Sequence, residues 1–251
     1  MATTFKFDKG PKASWAKKFF EAPRATYLAH PSGRFRTEFG PVYYRGRLNG
    51  TAKMLIIGQD PSTDEILAQR NLVGASGQRV QKLLNKLGVT KSYVMFNTFL
   101  YGIKGQMDAT MNAIAVEPAI LNYRNSLFDK VIAENPIQAI VSFGNGADLA
   151  VNHWPARPGA LPWFQLVHPS APENFVLNNW NTQLNALGAA ITPDKLSLKN
   201  LTPYGIIFGP DDTADIPRED LSFGIAEWHG TGGGTRSQRN GDNVIKWTSP
   251  L

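Results

Sequence analysis

Apolar residues in this chain gather into four short runs, each ending abruptly in glycine or a polar side chain. Met54-Leu55-Ile56-Ile57 stops at Gly58-Gln59-Asp60-Pro61, and Tyr93-Val94-Met95-Phe96 stops at Asn97-Thr98. The run 137–143 stops at Gly144-Asn145-Gly146, and 163–167 at His168-Pro169-Ser170. Continuous rather than alternating hydrophobicity marks strands covered on both faces, as in a parallel sheet. Between the runs the apolar spacing becomes helical. Val80, Leu83, Leu84 and Leu87 lead up to Gly88; Ile120, Leu127, Phe128, Val131 and Ile132 mark a helix over 117–135; a third lies at 176–188. Leu149, Ala150 and Val151 begin another behind the glycine turn at 144–146, and a short helix is expected at 13–21. The alternation predicts a three-layer α/β/α fold around a central four-stranded parallel sheet with right-handed crossovers. It also brings four strand ends, at Asp60, Asn97, Gly144 and His168, to the edge where open α/β sheets bind ligands.

Either side of this core, expected at about 50–190 in a single domain spanning 1–251, the pattern weakens. Residues 1–49, rich in Arg, Lys, aromatics, Pro and Gly, read as a wrapping segment. Within it 35–47 reads as a short edge strand whose arginines face either phosphates or plain solvent. In the C-terminal segment 191–251, accessory strands are expected at 204–208, 221–228 and 243–247, with the glycine-rich basic tract 230–241 as a mobile loop.

Composition removes several chemistries. A chain of 251 residues without cysteine has no disulfide, thiolate zinc site, cysteine-ligated cluster or cysteine nucleophile. His30, His153, His168 and His229 show no metal-ligand spacing, so no metal or other cofactor is expected. The net charge of +6 suits a polyanionic partner. No apolar run approaches a membrane span and the N-terminus lacks a signal-peptide core, so a monomeric cytoplasmic protein is expected. The turns at 73–78 and 144–147 each feed a helix N-terminus, where they either bind an anion or merely allow close packing. Singly, an Asp-Pro turn or a histidine after a strand is unremarkable. His30-Pro31-Ser32 even repeats the tripeptide of 168–170 where no apolar run precedes it, and reads as a loop.

Taken in order, Gly58-Gln59-Asp60-Pro61, Asn97 and His168-Pro169-Ser170 resemble the uracil-DNA glycosylase superfamily over roughly residues 50–190. The first motif matches the water-activating motif of the best-known branch, whereas 73–78 and 143–147 look more like the iron–sulphur branches. Those branches hold their cluster through four cysteines, so this chain resembles a divergent, cluster-free member. The resemblance implies a monofunctional glycosylase acting on uracil in DNA. Asp60 would position the attacking water and stabilise the cationic sugar. Asn97 would read the flipped base, and His168 would hydrogen-bond its O2. The Gln59 and Asp60 amides would help hold the base, while Ser62, Ser170 and the turn from Gly144 to Gly146 would grip phosphates. The wedge that fills the gap left by the flipped nucleotide would be Pro172 or Phe175; Glu173 beside DNA is unexpected in this picture. Ser62 stands where the best-known branch carries a tyrosine that excludes the thymine methyl group. Leu72 stands where the cluster-containing branches stack a phenylalanine on the base.

Two other readings fit the same residues. One is a glycosylase-like module that captures damaged or abasic DNA with little turnover. The other is an α/β enzyme acting on a small phosphorylated metabolite through its two glycine turns.

Overall fold

The computed structural model describes residues 6–31, 33–226 and 229–231. Five strands form one sheet in the order β1-β3-β2-β4-β5. They are β1 (Arg45–Gly46), β2 (Met54–Gly58), β3 (Tyr93–Asn97), β4 (Ala139–Phe143) and β5 (Trp163–Leu166). The four runs of the sequence are the four mutually parallel strands, and β1 adds a two-residue antiparallel edge on β3.

Period-two burial explains why the runs are continuous. Leu55, Ile57, Val94, Phe96 and Ile140 face one core. Met54, Ile56, Tyr93, Met95, Val141 and Phe143 face the other. The first face is covered by helices α1 (Ala13–Phe20), α2 (Arg24–Ala29), α5 (Ala109–Ala115), α6 (Pro118–Glu134) and α7 (Asn145–Asn152). The second is covered by α4 (Ala75–Lys86) and α8 (Glu173–Ala190), while the short α3 (Thr63–Ala68) follows the first strand end. The result is an α/β fold with helices on both faces of a mostly parallel sheet.

The C-terminal segment departs from expectation. The stretch 204–208 is not a strand. Tyr204 and Phe208 both pack their rings on Trp180, 6.0 Å away, and leave Ile206 and Ile207 exposed between them. The Tyr204 N–H and C=O are both taken by the Asn181 side chain, so neither is free for a ladder. Of 221–228, the described part makes only an isolated bridge, Asp8 with Ser222. The strand expected at 243–247 and the tract 232–241 lie outside the described residues.

This segment is nevertheless anchored. Asp220, fully buried, accepts from Arg45 Nε (2.9 Å) and Arg47 Nη1 (2.7 Å) on the β1 edge. These two arginines, turned onto a buried carboxylate, hold Glu219 and Asp220 against the sheet.

Candidate active site

The carboxyl ends of β2 and β3 meet in register, Gly58 beside Asn97. A Cβ on Gly58 would collide with the Asn97 side-chain oxygen, so glycine lets the amide lie across the neighbouring strand end. Asn97 is only 5% exposed. Its Nδ2 donates to Asn71 Oδ1 at 3.1 Å, and Asn71 in turn donates to the Tyr43 and Met95 carbonyls. That chain of bonds fixes which way the Asn97 amide points. The Thr98 hydroxyl lies 3.0 Å from both the Gly58 and Gly146 carbonyls, tying these strand ends to α7.

Asp60 leaves β2 on the following turn. Its Oδ2 accepts the Ile103 N–H at 2.9 Å and its Oδ1 accepts Gln59 Nε2 at 3.0 Å. Burial pushes the carboxyl up to about 6; those two bonds and the Arg36 charge pull against burial, while the charge of Glu65 adds to it. Glu65 is also the organiser of the next wall. From inside α3 it accepts the Ser62 N–H, closing a capping box, and its other oxygen accepts the Val73 and Gly74 N–H groups at 3.0 Å. The Ser62-x-x-Glu65 spacing is the sequence signal of a helix start that points to Glu65.

His168 closes the opposite side of the sheet end. Its Nδ1 receives the Ser170 backbone N–H (3.2 Å) and lies 2.7 Å from the Ser170 hydroxyl. A backbone N–H can only donate, so Nδ1 is unprotonated and the proton of the neutral ring sits on Nε2. Burial lowers the imidazole's pKa, which favours that neutral form. Gly144, at φ +84°, makes the room: a Cβ there would lie 2.9 Å from His168 Cβ. Gly146 passes similarly close to Gln59.

Arg79 braces the 168–170 loop. Its Nη1 donates to the Pro169 carbonyl (2.7 Å), its Nη2 pairs with Glu173 (2.8 Å), and its guanidinium lies over the Phe208 ring. Glu173 is therefore paired and also accepts the Phe208 N–H. Pro172 and Phe175 stand exposed on the rim beside it.

Asp60, Ser62, Leu72 and His168 converge on one cavity of about 220 Å³. That is roughly seven water volumes, room for a single nucleobase. Gln59, Gly144, His168 and Ser170 line an adjoining groove. Asn97 is one layer below, with Leu72 packed over Gly58 between them. Leu72 holds a left-handed backbone (φ +53°), rare for a branched side chain. Two contacts impose it: Arg45 donates to its carbonyl, and Gly77 runs so close that any Cβ would strike that same carbonyl. Arg45 gave no clear sequence signal, since a buried arginine reads like any other in a basic segment.

The sequence pattern of the Uracil DNA glycosylase superfamily matches residues 45–185, more than half of the chain. The chain belongs to this superfamily. Superfamily membership gives it a glycosylase-type role in DNA repair, with DNA as substrate. The match begins at the buried Arg45 and ends within α8, so it spans every strand of the sheet. No curated protein matches the chain. Among the described residues no helix is long and apolar enough to cross a membrane, and no cluster of His, Asp and Glu could hold a metal ion.

Proposed function

We propose that this glycosylase hydrolyses the N-glycosidic bond of uracil in DNA, leaving an abasic site. The observation that carries the reading is a base-sized cavity walled by both a carboxylate and a neutral imidazole whose donor is Nε2–H. A glycosidic bond inside a duplex is inaccessible, so the nucleotide must be extruded, with Pro172 or Phe175 filling the gap.

Asp60 accepts one protein hydrogen bond on each oxygen, and each oxygen keeps a lone pair for a water. The carboxylate orients that water and stabilises positive charge at C1′ as the C1′–N1 bond breaks. The electron pair leaves with the base, where the His168 Nε2–H stabilises the growing charge on O2. The water oxygen joins C1′ and its proton passes to Asp60 and on to solvent. Asn97, buried one layer below, reads the base once Leu72 moves aside. Ser62 and Leu72 form the cavity wall that sets base range, and Ser170 serves by holding His168. The segments before and after the core act with it as one catalytic domain, since Asp220 fixes Arg45 and Arg45 fixes Leu72.

A capture role with little turnover has one observation in its favour, the burial of Asn97 beneath Leu72. Incubation with a single-uracil oligonucleotide separates the two readings. Alkali-labile breaks at the uracil support hydrolysis, whereas tight binding without breaks supports capture. Folded protein that neither cleaves nor binds uracil-DNA contradicts both.

A further inference from the structure

We propose that a second subsite beside the base cavity takes an unpaired nucleobase adjacent to the target in the same strand. The proposal rests on the glycosylase reading and adds to it a recognised neighbour.

A groove of about 810 Å³ adjoins the base cavity, and His168 is a wall of both. It runs past Gly144 along the outer edge of β5, between the first turn of α7 and the side of α8. No lysine or arginine lines it. Grooves that track a nucleic-acid backbone are basic, because their affinity comes from charge. This one presents carboxamides instead. Gln106, Asn145, Gln165 and Gln183 reach it, and none of these four side chains makes a hydrogen bond among the described residues. Each offers a donor and an acceptor, the complement of a nucleobase edge.

The groove also has a fixed aromatic wall. The Trp163 Nε1–H donates to Ser142 Oγ at 2.8 Å, and Arg157 lies 5.2 Å from the ring centre. Ser142 donates in turn to Asp148 on its other side, so the indole is held through a chain of two hydrogen bonds.

A peptide strand adding to the open edge of β5 is the competing occupant, and the edge is blocked against it. Asn179 takes the Val167 N–H (2.9 Å) and reaches the Gln165 carbonyl, while Trp180 takes the Val167 carbonyl (2.9 Å). Asn179 therefore serves the fold, whereas the four idle amides do not. A paired base hides its Watson–Crick edge, so occupancy requires an unpaired neighbour, and single-stranded DNA is the preferred substrate.

The test is base release from single-stranded oligonucleotides carrying one uracil, with the 5′ or the 3′ neighbour replaced by an abasic spacer, and from the matching duplex. Removing the neighbour on one side lowers kcat/KM roughly tenfold, mainly through KM. Gln165→Ala, at an exposed position, and Gln183→Ala, at a half-buried one, bring the intact single strand down toward that level, and the duplex is cleaved more slowly. Equal kcat/KM with and without either neighbour, with uracil still released, overturns the subsite and leaves the glycosylase reading intact. Binding of an extended peptide that Gln165→Ala weakens, with no effect of neighbours, overturns the subsite and assigns the groove to the competing occupant. No release from any substrate overturns the glycosylase reading and this proposal with it.

Discussion

Asp60 and Asp194 sit at opposite ends of the same sheet, one beyond the carboxyl end of β2 and the other beside the amino ends of β2 and β3. Asp194 Oδ2 accepts three consecutive backbone N–H groups, from Thr90, Lys91 and Ser92, each at 3.0 Å, and Lys53 lies 3.2 Å from its other oxygen. Burial would raise its pKa, but these donors outweigh burial and hold the carboxyl well below the usual range. Asp60 is also withdrawn from water but receives only two donors and no ion pair, and its pKa rises to about 6. A saturated carboxylate stabilises the fold, and an under-compensated one is left able to meet a water and a developing cation. The two therefore oppose each other in pH dependence. The stability Asp194 supplies is present above the ordinary aspartate pKa and is lost as pH falls below it. Asp60 works the other way: the unfolded chain releases this proton near pH 4 and the folded chain near 6, so its cost grows across that window and stays constant above it.

Substitutions sharpen the contrast. Asp60→Asn should lower the rate of base release by ~10²–10⁴ while stabilising the protein by about 2 kcal/mol, read from single-turnover kinetics and urea unfolding. Loss of both rate and stability would place Asp60 with Asp194 as a structural group. Asp220→Asn leaves Arg45 and Arg47 against a neutral amide in a dry site and should cost about 3 kcal/mol in the same unfolding measurement. Asp194→Asn should cost about 2 kcal/mol yet leave the rate per folded molecule unchanged. Gly144→Ala has the smallest effect on stability. Its Cβ presses on His168 and its backbone is left-handed, so stability falls by about 1 kcal/mol and kcat by roughly tenfold.

The sheet was legible because its interior strands are buried on both faces, so the runs within them are apolar throughout except for the buried Ser142. Boundaries moved where a side chain took over the backbone's bonding. β5 pairs with β4 only as far as Leu166, opposite the last residue of β4, Phe143. The 204–208 stretch reads as a strand from its apolar letters, but Asn181 and the rings on Trp180 hold it as irregular chain. In the site, Asp60 and His168 were legible because each follows a strand directly. Arg79 and Arg45 were not, and Glu65 carries a local signal only as the third residue of a helix start. They act through the groups they hold, on carbonyls and N–H groups distant in sequence, and no local pattern records such partners. Glu173, unexpected near DNA, is explained only by Arg79 across the loop.

The proposed catalysis turns on Asp60 being an ionised, under-compensated group at a base-sized cavity. Its most direct test is the single-turnover rate of uracil release measured from pH 5 to 8 for wild type and Asp60→Asn. The expected wild-type rate climbs about tenfold per pH unit at the acid end and levels off above about pH 6, and the variant is slow and lacks that limb. A wild-type rate flat across the range, or a variant that follows the wild-type curve, would contradict it.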